Sequence, residues 1–159
     1  MGQQSDSELT VTMASDLEVV MTRVFDAPRA LVFEAHSKCE HLRKWWARGN
    51  PMDCEVDFRP GGRYRIVEHV ADEGDFVFFG EYHEIVVPER IVQTFEYEGM
   101  PGKVIIDTIT FEEHDGKTTL TTRSLFETVE DRDGMLTTGM ETGYGQSLDK
   151  LAELLTTLA

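Results

Sequence analysis

Long apolar runs are missing from this chain of 159 residues. No stretch approaches the roughly 18 consecutive apolar residues of a membrane-spanning helix. The first eight residues also lack the basic-then-apolar pattern of a secretory signal peptide. We therefore expect a cytoplasmic protein that does not enter a membrane.

Basic residues are scarce as well, since 15 lysines and arginines stand against 30 acidic residues and give a net charge of −15. A nucleic-acid-binding protein needs a basic surface to meet phosphate groups, and anionic membrane surfaces attract basic segments in the same way. The charge therefore argues against nucleic acid and anionic membranes as partners. It carries no prediction of fold or oligomeric state.

Cysteine is rare, with Cys39 and Cys54 as its two occurrences. Two cysteines are too few for a disulfide framework, so we expect two free thiols. His36, Cys39 and His41 form a small cluster, but a structural zinc site takes four ligands and nothing positions Cys54 as the fourth. We predict no metal and no cofactor, and an inert rather than an activated Cys39 thiol.

The chain pattern predicts an α+β protein. Residues 1–7 are expected to be disordered, and residues 8–159 to form a single domain. Residues 8–25 are rich in strand-forming residues, with a break near residues 14–16. Asp26 is expected to cap a first short helix. Ser37 and Glu40 have the capping-box spacing for a second helix that runs to Trp46.

Six alternating segments separated by tight turns follow, which indicates an antiparallel sheet. They cover residues 54–58, 64–70, 76–85, 91–97, 104–112 and 118–126. After them the apolar period changes to three and four residues, which predicts one long helix from about Arg132, capped by Asp131. Glycines 139, 143 and 145 weaken its first half. Together with the strand of residues 8–25, this predicts six to seven strands and a long C-terminal helix.

Several motifs carry a family resemblance. They are VFDAPR at 24–29, EHL and WW at 40–46, RPGGR at 59–63, GEY at 80–82, PER at 88–90, TFE at 94–96 and GMETGYGQSL at 139–148. In this order they resemble the SRPBCC superfamily, with its START/Bet v 1-like helix-grip fold. More narrowly, they resemble the group related to the C-terminal domain of the activator of Hsp90 ATPase.

The resemblance implies a hydrophobic cavity between a curved sheet and the long helix. A small apolar molecule is the expected ligand. The expected lining residues are Trp45, Trp46, Tyr64, Ile66, Phe78, Tyr82, Phe95, Tyr97, Met135, Met140 and Tyr144. For each of them, packing in the core is the alternative. The narrower resemblance also allows a cochaperone-like module that docks on a chaperone ATPase.

An enzyme is the third alternative, because relatives of this fold include cyclases and hydrolases. Glu68, His69 and Glu84 lie on predicted strands, where inward-facing carboxylates would have perturbed pKa values. Solvated side chains at the sheet surface are the ordinary interpretation of these residues. We therefore predict no catalytic residue from the sequence.

Overall fold

A computed structural model describes residues 9–158. Within this range, eight strands and four helices follow one another. Their bounds are β1 (Thr10–Thr12), β2 (Glu18–Phe25), α1 (Arg29–Ala35), α2 (Cys39–Trp45), β3 (Met52–Val56), β4 (Arg63–Val70), β5 (Gly74–Val86), β6 (Arg90–Tyr97), β7 (Ile105–His114), β8 (Lys117–Leu125), α3 (Val129–Thr137) and α4 (Met140–Leu158). The predicted disorder of residues 1–7 lies outside the described residues.

All eight strands form one curved antiparallel sheet in the order β1-β2-β8-β7-β6-β5-β4-β3. The strands from β3 to β8 are sequential neighbours, and β2 pairs with β8, so the first long strand closes onto the last. The break predicted near residues 14–16 is confirmed and separates β1 from β2. The predicted helix-grip architecture is confirmed, with one strand more than the six to seven expected.

The core lies between the concave face of the sheet and α4. Residues of alternate positions on the strands point inward, as the period of two requires. On β7, for example, Ile105, Ile109 and Phe111 are all buried. Leu148, Leu151 and Leu155 of α4 belong to the same main core cluster as Ile109 and Phe111. The amphipathic C-terminal helix therefore covers the apolar face of the sheet, as the sequence predicted.

Both predicted caps of the short helices are wrong. Helix α1 begins at Arg29 with Pro28 in the N-cap position, which provides no side-chain cap, and Asp26 lies outside the helix. Lys38 occupies the N-cap position of α2, again without a side-chain hydrogen bond that caps the helix. The hydroxyl of Ser37 instead donates to the carbonyl oxygen of Glu34 at 2.8 Å. It therefore closes the end of α1 and is not available to begin α2.

The predicted long helix is two helices. Thr128, and not Asp131, caps α3, because its Oγ1 accepts a hydrogen bond from the Asp131 backbone N–H at 3.0 Å. The chain then breaks at Gly139, whose φ of 77° lies in the left-handed region that glycine adopts without strain. The 19-residue α4 follows. No helix within residues 9–158 is long and apolar enough to cross a bilayer.

The expectation of two free thiols is wrong. Cys39 and Cys54 form a disulfide with a Cα–Cα distance of 5.7 Å. It joins the first residue of α2 to the middle of β3. Disulfides are rare in reducing compartments, so the bond argues against the cytoplasmic location that was expected from the sequence.

We expect thiol titration of the denatured, unreduced protein to detect no thiol, and titration after reduction to detect two per chain. The reason is that both cysteines are consumed by the Cys39–Cys54 bond. Cys39→Ser is the control, because it should expose one reactive thiol without reduction. Two thiols before reduction, in protein purified without reductant, would contradict the disulfide.

Candidate functional site

Four of the predicted site residues lie in the packed core. Trp45 is 2% exposed, and its indole Nε1 donates to the carbonyl oxygen of Ala35 at 3.0 Å. Tyr64, Ile66 and Tyr82 are also buried on the concave face. The polar tip of Trp45 already has a partner, so we assign this residue to the core.

Other predicted residues form an aromatic cluster centred on Phe78. The ring centroid of Phe78 lies 5.1 Å from that of Trp46, 5.6 Å from that of Phe95 and 5.3 Å from that of Tyr97. Phe95 and Tyr97 are stacked on it, and Trp46 meets it edge-on. All four side chains are half-buried. The strand register places Phe78, Phe95 and Tyr97 on the concave face, and the helices do not cover them fully.

Three predicted residues come from the helical side. Met135 of α3 and Met140 and Tyr144 of α4 are half-buried. Together with Phe95 they pack against a second core cluster formed by Val19, Met21, Ile105 and Phe126. We call the region between the aromatic cluster and these three helical residues the groove.

Three polar residues on neighbouring strands form a row across the same concave face. They are Gln93, Asp107 and Ser124, and we call them the polar row. Gln93 on β6 lies opposite Asp107 on β7, and Asp107 lies opposite Ser124 on β8. The buried neighbours Ile105 and Ile109 show that Asp107 points inward. The Gln93 side-chain N–H donates to the Tyr64 hydroxyl at 3.4 Å, and that hydroxyl donates to the Thr94 carbonyl at 2.5 Å. Polar groups thus reach into a face that is otherwise apolar.

Asp107 is the ionisable member of the polar row. It accepts a hydrogen bond from the Ser124 hydroxyl at 2.6 Å. Part of its surface stays accessible, but its apolar surroundings remove water from the charged form. This desolvation raises the pKa of Asp107 to about 6, against the opposing effect of the Ser124 hydrogen bond. Asp107 therefore changes charge near neutral pH.

The tyrosine hydroxyls beside the row stay neutral. Tyr144 and Thr122 share a hydrogen bond of 2.9 Å between their hydroxyls. Burial raises the pKa of Tyr144 to about 12, and burial also raises the pKa of Tyr64 well above its usual range. At neutral pH these phenols can donate or accept hydrogen bonds but carry no charge. The arrangement can therefore bind a polar group at one carboxylate surrounded by neutral hydroxyl and amide groups.

The acidic and histidine candidates from the sequence lie elsewhere. Glu68 is buried, but it accepts hydrogen bonds from Arg48 and Asn50, each at 2.7 Å. Glu84 is exposed and paired with Arg90 at 2.6 Å, and His69 is bonded to two surface aspartates. Each of these side chains has a structural partner, which is sufficient to explain its position in the fold.

The cluster around His36 has a structural explanation too. His36 is buried, with its ring 4.9 Å from the Trp45 ring and 5.2 Å from the Phe111 ring. Its Nδ1 is 2.8 Å from the carbonyl oxygen of Val32, to which it can only donate. Cys39 is held in the disulfide. Among residues 9–158 no group of three or more potential metal ligands comes together.

Sequence reasoning missed the polar row and Thr122. One signal for Asp107 was present, because residues 105, 107, 109 and 111 read Ile, Asp, Ile and Phe. This alternation places an aspartate on the apolar face of the strand. The partners of Asp107 could not be found in the same way, because the register between strands decides which side chains face it.

The described part of the chain includes two open pockets whose linings contain no member of the aromatic cluster. The larger, of about 490 Å³, lies between β2 and α4 and is lined by Leu9, Arg23, Glu141, Thr142, Gly145, Gln146 and Asp149. The second, of about 360 Å³, is lined by Val104, Ile106, Leu125, Phe126 and Glu127. Neither is the expected enclosed cavity, which stays a prediction.

The antiparallel sheet, the two short helices after β2 and the C-terminal helix across the concave face define a protein of the helix-grip, START/Bet v 1-like class. The chain belongs to the family described as activator of Hsp90 ATPase homolog 1-like protein, whose family model matches residues 26–156. The match covers both short helices, the strands from β3 to β8 and nearly all of α4.

Solved bacterial structures share this fold. A protein from Rhodobacter sphaeroides is 23% identical with a TM-score of 0.87, over 96% of this chain and 100% of that one. Ms6760 from Mycobacterium smegmatis is 25% identical with a TM-score of 0.83, over the same shares of 96% and 100%. CV1439 from Chromobacterium violaceum is 29% identical with a TM-score of 0.70, over 86% and 96%. A comparison with curated proteins gives no match.

Proposed function

We propose that the protein binds a small molecule with an apolar body in the groove. The observation that carries this proposal is the exposure of the aromatic cluster. Phe78, Phe95 and Tyr97 point to the concave side, yet all three are only half-buried. Inward-facing aromatic side chains that the helices leave partly open offer contact area to a ligand.

The helical side of the groove suits such a ligand. Met135 and Met140 have flexible, polarisable side chains that adapt to varied shapes. The break at Gly139 separates α3 from α4 between these two methionines. Tyr144 and the polar row lie at the same face and can orient a polar end of the ligand. The ligand we expect is therefore mostly apolar, with one polar group.

Phe78→Ala should weaken binding of the neutral fluorescent probe N-phenyl-naphthylamine by about five- to tenfold, because it removes the ring at the centre of the aromatic cluster. Probe fluorescence titrated with protein measures the affinity. Phe79→Ala is the matched control, since Phe79 is the next residue on β5 and points to the opposite face of the sheet. Equal loss in both variants, or no probe binding to the wild type, would contradict the proposal.

A chaperone ATPase is the second candidate partner, and the family description is what favours it. The two candidates separate in the same preparations. A cochaperone changes the ATPase rate of an Hsp90-type chaperone with no small molecule present, and Phe78→Ala leaves that change intact. A ligand-binding protein binds the apolar probe without any chaperone.

A further inference from the structure

The polar row indicates which polar group the ligand carries. This inference rests on the proposed function, in which the groove is the binding site. Asp107 lies on the concave face between the buried Ile105 and Ile109. Within residues 9–158, no lysine, arginine or histidine nitrogen lies within 4 Å of its carboxylate. Its hydrogen bond from Ser124, at 2.6 Å, comes from an uncharged donor. We propose that the groove binds an apolar molecule with a protonated amine head group, which pairs with Asp107.

The groups that face Asp107 from its neighbouring elements are neutral. Gln93 on β6 and Ser124 on β8 lie directly opposite it. Tyr64 on β4, Tyr82 on β5 and Tyr144 on α4 are phenols whose pKa values burial raises. None of these groups supplies a positive charge to the carboxylate.

The inward-facing cation on β2 does not compensate Asp107 either. Arg23 pairs with Asp149 at 2.7 Å. Val19, and not Arg23, lies opposite Ser124. Arg23 follows Val19 by four positions on the strand, which corresponds to roughly 13 Å along it. The Asp107 charge is therefore left for a ligand to neutralise.

An amine fits this site better than the other common head groups. A carboxylate out of bulk water is unfavourable unless a cation or several hydrogen bonds stabilise it. An alcohol can donate one hydrogen bond but brings no charge, and a second carboxylate would repel Asp107. The aromatic faces of the groove attract cations as well. The net charge of −15 also concentrates cations around the protein.

Three probes with the same bicyclic body test the head group: naphthylethylamine, naphthylethanol and naphthylacetate. At pH 7.5 and low salt we expect the amine to bind at least about tenfold more tightly than the alcohol, with the acetate weakest. Isothermal titration measures all three affinities on the wild-type chain. Asp107→Asn should abolish the preference for the amine, because it removes the charge with which the amine pairs and keeps the apolar contacts that all three probes share.

Glu112→Gln is the control for net charge, because Glu112 is exposed on the same strand. It should keep the amine preference. The asparagine in Asp107→Asn retains an oxygen that can accept the Ser124 hydrogen bond. If that variant does not fold, the pH dependence of the wild type tests the same point.

The pH dependence follows from the ionisation of Asp107. With its pKa at about 6, roughly a tenth of the carboxyl is ionised at pH 5 and nearly all of it at pH 7.5. The amine stays protonated throughout, so its affinity should rise about tenfold between these pH values. The affinity of the alcohol should change much less, because a neutral hydroxyl can form a hydrogen bond with either form of the carboxyl.

The outcomes separate the inference from the proposed function. Equal affinities for the amine and the alcohol, or an amine affinity that is flat from pH 5 to 7.5, would overturn the amine assignment and leave the groove as the binding site. Binding of none of the three probes would overturn both.

Discussion

Replacing His36 by phenylalanine should make the protein more resistant to acid. Relative to the wild type, the free energy of unfolding of His36→Phe should increase by about 3 kcal/mol between pH 7 and pH 4. Urea denaturation of both proteins at pH 7, 5.5 and 4 measures this difference. The ring of phenylalanine can occupy the site between Trp45 and Phe111 that His36 fills.

The sign of this effect follows from the burial of His36. Desolvation lowers the pKa of His36 from its ordinary 6.5 to about 4, although its hydrogen bond to the Val32 carbonyl acts in the opposite direction. The unfolded chain takes up a proton as the pH falls through 6.5, and the folded protein does not until about pH 4. Stability is therefore complete above pH 6.5 and is lost toward pH 4. Phenylalanine has no proton to gain, so this loss disappears.

Asp107→Asn provides the control with the opposite sign. Desolvation raises the pKa of Asp107 from 3.8 to about 6. The folded protein therefore takes up this proton first, and acidification from pH 6 to pH 3.8 adds stability. Asp107→Asn removes that gain, so its stability should fall more steeply with acid than that of the wild type. Because part of Asp107 is accessible to water, solvent screening reduces this contribution to stability below about 3 kcal/mol.

A His36→Phe variant that follows the wild-type curve at all three pH values would contradict a buried, neutral His36. A constant offset between the curves would mean only that the two side chains pack differently. The change of the difference with pH is the quantity that reports the proton.

The sheet could be predicted from local patterns because each strand carries its own signal. Period-two alternation marks the strands, and turn residues mark their ends. The β7–β8 turn is an example, since Asp115 and Gly116 have φ values of 53° and 78°, as a tight hairpin requires. The C-terminal helix was predicted from its apolar stripe. Its division at Gly139 was not, because the stripe continues through the break.

Only part of the candidate site could be predicted from the sequence. Residue type identified Phe78, Phe95 and Tyr97 as ligand-contacting candidates, and the structure brings them together. The same reasoning could not distinguish them from Trp45, which is covered completely. Coverage depends on where α2, α3 and α4 lie over the sheet, and no local pattern encodes that. The Cys39–Cys54 bond was missed for the same reason, since it joins an early helix to β3.

Gly80→Ala should lower the free energy of unfolding by about 3 kcal/mol or more. Gly80 lies on β5 next to the carbonyl oxygen of Thr94 and the ring of Tyr64. A Cβ atom at this position would collide with the Thr94 carbonyl and would lie 2.7 Å from the Tyr64 hydroxyl. The carbonyl is backbone of the adjacent strand and cannot move aside alone. The hydrogen bond from Tyr64 to Thr94, which closes one end of the polar row, would be lost with it.

Gly134→Ala is the matched control, and its sign is opposite. Gly134 lies inside α3, and a Cβ atom there would meet nothing within 4 Å. Alanine is favoured over glycine in a helix by about 1 kcal/mol, so this variant should be slightly more stable than the wild type. Urea denaturation at pH 7 measures both variants. If Gly80→Ala unfolds within about 1 kcal/mol of the wild type, the strands do not approach as closely at Gly80 as the structure shows, and the support for Tyr64 in the polar row must come from elsewhere.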